Sequence, residues 1–128
     1  MTLGRLDHVL VLTDDVDGTT RFYCDVLGFE RGDRPPLPFP GHWLYLAGGA
    51  CVHVADRAAY EAHAASMGLP PTGAAIDHVA FAAVDYDELA ARLVTAGVDA
   101  VRNDVPEAAM RQIFLSDPNG IRIELNIT

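Results

Sequence analysis

The tetrapeptide Leu6-Asp7-His8-Val9 returns as Ile76-Asp77-His78-Val79, 70 residues further on, and the chain beyond each copy runs through the same order of patterns. Self-similarity at a fixed spacing marks one supersecondary unit built more than once. A chain of 128 residues therefore has room for two copies of a small module and little else. Each copy opens a run rich in β-branched residues, which reads as a strand. A helical stretch comes next. Asp14 to Leu27 spaces Val16, Thr20, Tyr23 and Leu27 ahead of Gly28, and Asp85 to Ala96 spaces Leu89, Leu93 and Ala96 ahead of Gly97. Both glycines stand where a helix C-cap is expected.

A short strand, an irregular stretch and a strand pair complete each copy. His42-Trp43-Leu44-Tyr45-Leu46 is matched with Arg111-Gln112-Ile113-Phe114-Leu115, and Gly49-Ala50-Cys51-Val52-His53 with Gly120-Ile121-Arg122-Ile123-Glu124. Ser116-Asp117-Pro118-Asn119-Gly120 is a turn by its chemistry, since proline pre-sets φ and Asn-Gly tolerates positive φ. Arg34 to Gly41 carries four prolines and cannot join a sheet, and Tyr60 to Gly73 reads as a short helix followed by a linker stiffened by Pro70-Pro71. The expected fold is α+β. One domain, 1–128, holds two tandem βαβββ modules, about 1–58 and about 75–128 with a linker about 59–74, in a curved, cup-like mixed sheet with helices on the outer face.

Composition narrows the partners. Half of the residues are apolar and 21% are charged, as in a folded globular chain. The net charge is -9 and the basic residues are arginines scattered singly, so nucleic acid and anionic membrane surfaces would repel the protein and are not expected as partners. No basic leader joins an apolar stretch and no apolar run nears the roughly 20 residues that span a bilayer, so a cytoplasmic location is expected. Cys24 and Cys51 are too few for a disulfide framework and lack zinc-ligand spacing; they are read as buried free thiols.

Period-two alternation tells which side chains share a face. In the last strand Ile121, Ile123 and Leu125 oppose Arg122, Glu124 and Asn126; in its counterpart Val52 and Val54 oppose Cys51, His53 and Ala55. The apolar face belongs under the helices, which leaves His53 and Glu124 on the helix-free face. The opening strands add His8 and His78 to that face by the same rule. Each histidine alone reads most simply as a structural residue, and Glu124 has an alternative in an ion pair with Arg122, because an unpaired buried carboxylate is costly. The joint placement of three histidines and a glutamate at symmetry-matched positions points instead to a metal. Imidazole nitrogen and carboxylate oxygen suit Fe, Mn, Co, Ni or Zn, and the absence of thiolate argues against structural zinc.

Trp43 and Tyr45 of one module, with Gln112 and Phe114 of the other, are expected to share the metal face, and Leu44, Leu46, Ile113 and Leu115 to enter the helix-side core. Arg122 is the expected anchor for a substrate carboxylate or phosphate, Asn126 a further substrate contact. His42 and His63 fall outside the repeat and are read as surface residues.

The duplicated module, the Asp-His-Val openings, the Asp-Pro-Asn-Gly turn and the closing Ile-Glu-Leu strand resemble the vicinal oxygen chelate superfamily, which includes glyoxalase I, methylmalonyl-CoA epimerase, extradiol dioxygenases, fosfomycin-inactivating enzymes and bleomycin-binding proteins. The resemblance spans essentially the whole chain. It implies one divalent metal per site, with His8, His78 and Glu124 as a two-histidine, one-carboxylate ligand set. His53 falls where glyoxalase I carries a ligating glutamate and the epimerase a glutamine, so it is expected as the fourth ligand or as a base. Glu124, the carboxylate of the set, is expected to serve as ligand and base. The function implied is that of a metal-dependent lyase or isomerase acting on a small oxygenated compound. Ring-cleaving dioxygenation with Fe²⁺ is the alternative, and non-catalytic small-molecule binding a second one. A homodimer is expected, since isolated four-stranded cups leave edge strands open.

Overall fold

The β-branched runs form strands, and capping residues bound the helices, much where the repeat places them. The computed structural model describes residues 5–72, 76 and 78–128, apart from the side chain of Glu107. Asp77 of the second tetrapeptide lies outside the described residues. The chain divides into two compact units, Met1–Gly73 and Ala74–Thr128, each with its own four-stranded sheet.

In the first unit β1 (Val9–Thr13), β2 (Glu30–Gly32), β3 (Gly41–Leu46) and β4 (Gly49–Asp56) run in the order β1-β4-β3-β2. β1 lies parallel to β4, and the other pairs are antiparallel. A parallel pair needs a long crossover, here the helical segment beginning with α1 (Val16–Arg21). Asp15 caps α1, its carboxylate accepting from the Gly18 amide at 3.0 Å. A Cβ at Gly18 would fall on that carboxylate, so glycine is what lets the cap close. The expected helix to Leu27 does form, but its second part, Phe22–Val26, widens into a π-type turn. The closing bonds widen with it: the amide of Phe29 donates to the Tyr23 carbonyl, and Gly28 supplies the positive φ. Tyr23, Val26 and Phe29 are all buried by this turn. A second helix, α2 (Arg57–Ser66), begins three residues earlier than the sequence suggests because Asp56 caps it, accepting from the Ala59 amide.

The second unit repeats the plan. β5 (His78–Ala83), β6 (Val101–Val105), β7 (Met110–Ser116) and β8 (Arg122–Ile127) run in the order β5-β8-β7-β6, with β5 parallel to β8. The helix α3 (Tyr86–Thr95) provides the crossover. Its cap is Asp85, 70 residues after Asp15, held at φ 60° while its carboxylate accepts from the Glu88 amide. The Ser116–Gly120 turn is built as its chemistry suggests: Asp117 is buried and accepts from the amides of Asn119 and Ile121, each at 2.8 Å. Among the described residues no helix is long and apolar enough to cross a membrane.

Alternation sets the two cores. Val11, Leu44, Val52 and Val54 are buried in the first unit, and Ile113, Leu115, Ile123 and Leu125 in the second. Two expectations fail. Leu46 does not enter the core: the β3/β4 register slips between Leu44 and Leu46, and Leu46 lines a surface hollow with Trp43 and His53. His42 and His63 are half-buried rather than on the surface; His63 leans on the Phe39 ring, which also meets Tyr60 edge-on.

The matching of β3 with β7 also shifts. Measured against the closing strands, Trp43 opposes His53, whereas Glu124 is opposed by Phe114, and Gln112 by Asn126. Trp43 is thus the counterpart of Phe114, and Gln112 that of Gly41, two residues from the matching read in the sequence. A tight turn at Ala47-Gly48 closes one hairpin, whereas a longer loop closes the other. The shift is even, so Trp43, Gln112 and Phe114 keep the face assigned to them.

Candidate functional site

The helix-free face of the first unit carries a stack of three rings. His53, on β4 beside Leu10 and Trp43, is sandwiched between His8 at 3.9 Å and Trp43 at 4.1 Å, the planes within 12° and 10° of parallel. His8 sits just before β1. Its Nδ1 donates to Asp7 at 2.7 Å, and that bond holds the Asp7 carboxyl below its ordinary range. With Nδ1 protonated, Nε2 of His8 carries the lone pair, the arrangement in which a carboxylate orients a ligating histidine.

His53 is oriented differently. Its Nε2 lies 2.9 Å from the Ala50 carbonyl, which can only accept, so Nε2 carries the proton and Nδ1 the lone pair. Burial, then repulsion between the two imidazoles of His53 and His8 when both would be protonated, push the His53 pKa below the ordinary histidine value. Its imidazole is neutral near pH 7. An ion bound to an imidazole lies in the ring plane, along the nitrogen lone pair. Two near-parallel planes separated as those of His8 and His53 are share no such point, so in this arrangement the two rings do not ligate one ion together.

Beside the stack lies a hollow of about 440 Å³, walled by Trp43, Leu46, Cys51 and His53 and rimmed by Arg5. Burial raises the Cys51 thiol above its ordinary pKa, so it is no ready nucleophile. Tyr45 shares this face, and its hydroxyl donates to the Asp33 carbonyl at 2.6 Å.

The corresponding face of the second unit is polar. His78 opens β5, and its Nε2 lies 3.2 Å from Oε2 of Glu124, whose side chain is only 12% exposed. The other carboxylate oxygen, Oε1, accepts from Gln112 Nε2 at 2.5 Å, and Gln112 Nε2 also donates to Asn126 at 3.1 Å. Asn103 on β6 donates to Gln112 at 2.8 Å. The partners of Glu124 seen here are thus His78 and Gln112. Arg122 is exposed at the start of β8, opposite His78 and Ser116. Phe114 is half-buried beside Glu124. Arg111 points to the helix side, its guanidinium 3.3 Å above the Tyr86 ring.

The structure therefore brings His8, His53 and Trp43 together in one unit, and His78, Glu124, Gln112 and Asn126 together in the other. Among the described residues no three His, Cys, Asp or Glu side chains cluster closely enough to be a metal site as they stand. The sequence reading missed Asp7 and Asn103. Asp7 was within reach of it, since it adjoins His8 in the repeated tetrapeptide; Asn103 was not, because it shares its face with Val101 and Val105, which the apolar pattern assigns to the helices, and only the register opposite Gln112 places it here.

Residues 5–125 match the family model described as Glyoxalase/Bleomycin resistance protein/Dioxygenase superfamily. Among curated relatives, Glyoxylase I 4 of Arabidopsis thaliana is 32% identical over 126 residues, covering 96% of this chain and 70% of its own. A lactoylglutathione lyase from Agrobacterium tumefaciens superposes with a TM-score of 0.75 at 22% identity, covering 99% of this chain and 96% of its own. TnmS3, an antibiotic binding protein from Streptomyces sp. CB03234, gives 0.72 at 23%, covering 99% and 98%. At those identities the two structures speak for the fold alone.

Proposed function

The chain belongs to the Glyoxalase/Bleomycin resistance protein/Dioxygenase superfamily, and on that premise we propose that it is a metal-dependent lyase or isomerase acting on a small oxygenated compound. The observation that carries this reading is the His78–Glu124 pair, a carboxylate largely withdrawn from water beside an imidazole nitrogen at 3.2 Å. Such a carboxylate needs a cation or a proton. The donors fit a divalent transition metal: imidazole nitrogen and carboxylate oxygen, with Nε2 of His8 presented by the Asp7 bond. In this proposal His78 and Glu124 come from one module, and His8 from the other module of the same chain or of a second copy. Each sheet has unpaired edges within its own unit, β1 and β2 or β5 and β6, which supports working as a homodimer.

When bound, the ion would polarise a carbonyl or hold two vicinal oxygens. The protein's own residues supply the rest. Glu124 is committed to His78 and Gln112, which makes it a ligand more than a mobile base. His53, neutral and with Nδ1 as its lone-pair nitrogen, is placed to take a proton from a substrate carbon. The hollow beside it, with Trp43 and Leu46 as walls and the Arg5–Asp7 pair among its lining, suits a small molecule with both apolar and polar parts. In this proposal His8, His78 and Glu124 would also match by residue type the two-histidine, one-carboxylate set of Fe²⁺ oxygenases, which makes ring-cleaving dioxygenation the second reading.

Metal content by mass spectrometry tests this, on untagged parent, His8→Ala and Glu124→Ala proteins. Near-stoichiometric Zn or Ni lost from both variants supports the lyase or isomerase; Fe or Mn together with O₂ uptake on catechols moves the assignment to the dioxygenase. No metal, even after reconstitution with each ion, overturns both and leaves a binding protein.

A further inference from the structure

Gln112 faces the helix-free side of its sheet, as a substrate contact should, yet its hydrogen bonds are directed into the protein. We propose that Gln112 is a positioning residue for Glu124: it occupies one carboxylate oxygen and leaves the other to meet a cation. This rests on the metal-dependent reading above.

Both donor contacts of the Gln112 amide are made within the sheet, to Oε1 of Glu124 and to the side-chain oxygen of Asn126. Its own oxygen accepts from Asn103. Turning the amide over would set its oxygen against a carboxylate and against the Asn126 oxygen, acceptor against acceptor, so the charge of Glu124 fixes the orientation. Asn103 then locks it from the far side. The consequence falls on Oε2, the oxygen that faces His78 at 3.2 Å. A carboxylate with both oxygens at liberty can grip an ion twice, whereas one with Oε1 held meets it once. A single grip leaves a further coordination position for a substrate oxygen. Outer partners of this kind orient metal ligands and tune their strength.

The device belongs to the carboxylate-bearing unit alone. At the register-equivalent place in the first unit stands Gly41, where a Cβ would come within 2.1 Å of the Val54 carbonyl. No amide side chain fits there without moving backbone.

The test uses cobalt(II) as probe with parent, Gln112→Met and Asn103→Ala proteins, reading affinity by calorimetry and ligand geometry from the visible spectrum. Gln112→Met is expected to weaken binding roughly 10- to 100-fold with an altered spectrum. Asn103→Ala, at an exposed position that tolerates truncation, should move both in the same direction but less. Parent-like affinity and spectrum in both variants overturn the positioning role while leaving the metal site standing. In metal-free protein, the ¹H–¹⁵N signal of the Gln112 side-chain amide should shift on Glu124→Gln. If the parent binds no cobalt but this signal shifts, the failure lies in the metal reading and the Gln112–Glu124 contact holds; an unmoved signal overturns the contact itself.

Discussion

Removing His53 should destabilise the first unit by an amount its contacts allow to be worked out, and the same variants separate a ligand from a base. His53→Ala loses two stacked rings, at 3.9 and 4.1 Å, each about 0.5–1.5 kcal/mol beyond burial. It also loses the hydrogen bond to the Ala50 carbonyl, about 0.5–1.5 kcal/mol. Taking the lower half of each range, since the residue is only half-buried, the loss is about 2 kcal/mol. For a chain of this length that lowers Tm by roughly 6–10 °C. His53→Phe keeps a flat ring between His8 and Trp43 and should recover most of it. A double-mutant cycle of His53→Ala with Trp43→Ala, by urea unfolding at pH 8 in chelator, should give a coupling of about 0.5–1.5 kcal/mol. Strict additivity, within the roughly 0.3 kcal/mol such cycles resolve, would refute the stack. Metal affinity then distinguishes the two roles. If the parallel rings keep His53 out of the ligand set, His53→Phe binds metal within a few-fold of the parent while turnover falls, whereas His8→Ala loses the metal. Equal loss of metal in both would refute the base assignment.

His42 and His53 both have pKa values pushed below the ordinary histidine range, chiefly by burial. The unfolded chain then binds more protons than the native one, so stability is full above about pH 6.5 and falls as pH drops through that value. Urea midpoints from pH 8 to 5 should show this, with a shallower fall in His53→Phe; a fall as steep as the parent's would show that His53 contributes nothing to it. The register slip in β3 predicts unequal costs for neighbouring leucines. Leu44→Ala, at a fully buried position, should lose about 2–5 kcal/mol, and Leu46→Ala, on the hollow, about 1 kcal/mol or less; equal losses would mean that Leu46 is core after all.

The duplicated plan, the strands, the turn at Ser116–Gly120 and the facing of His53 and Glu124 could all be read from residue order, because each depends on local chemistry or on alternation. The slip at Leu46 could not. It depends on how the two-residue turn at Ala47-Gly48 closes the hairpin, and the slip falls beyond Leu44, leaving the hydrophobic pattern of Leu44, Val52 and Val54 untouched. The π-type widening at Phe22–Val26 was equally silent, since helical spacing over so few residues does not separate the two turn widths. At the site, residue types gave the candidate donors, but the different settings of His8 and His53 are visible only in ring planes and hydrogen bonds, and those of Gln112 and Asn126 only in hydrogen bonds.

The two units share a frame and differ in the chemistry they display on it. Val52 and Ile123, and likewise Val54 and Leu125, fill the same core places, so positions 53 and 124 are held by equivalent backbone. Their surroundings are opposite in character. At 53 a half-buried imidazole lies between rings with a surface hollow beside it; at 124 a carboxylate is gripped by an amide ladder and an imidazole. Equivalent backbone positions thus carry a ring-stacked imidazole in one unit and a hydrogen-bonded carboxylate in the other. Exchanging the pair, His53→Glu with Glu124→His, would set a carboxylate among rings with no donor and an imidazole against the Gln112 amide. The double variant should therefore lose metal binding and stability together, although its composition is unchanged.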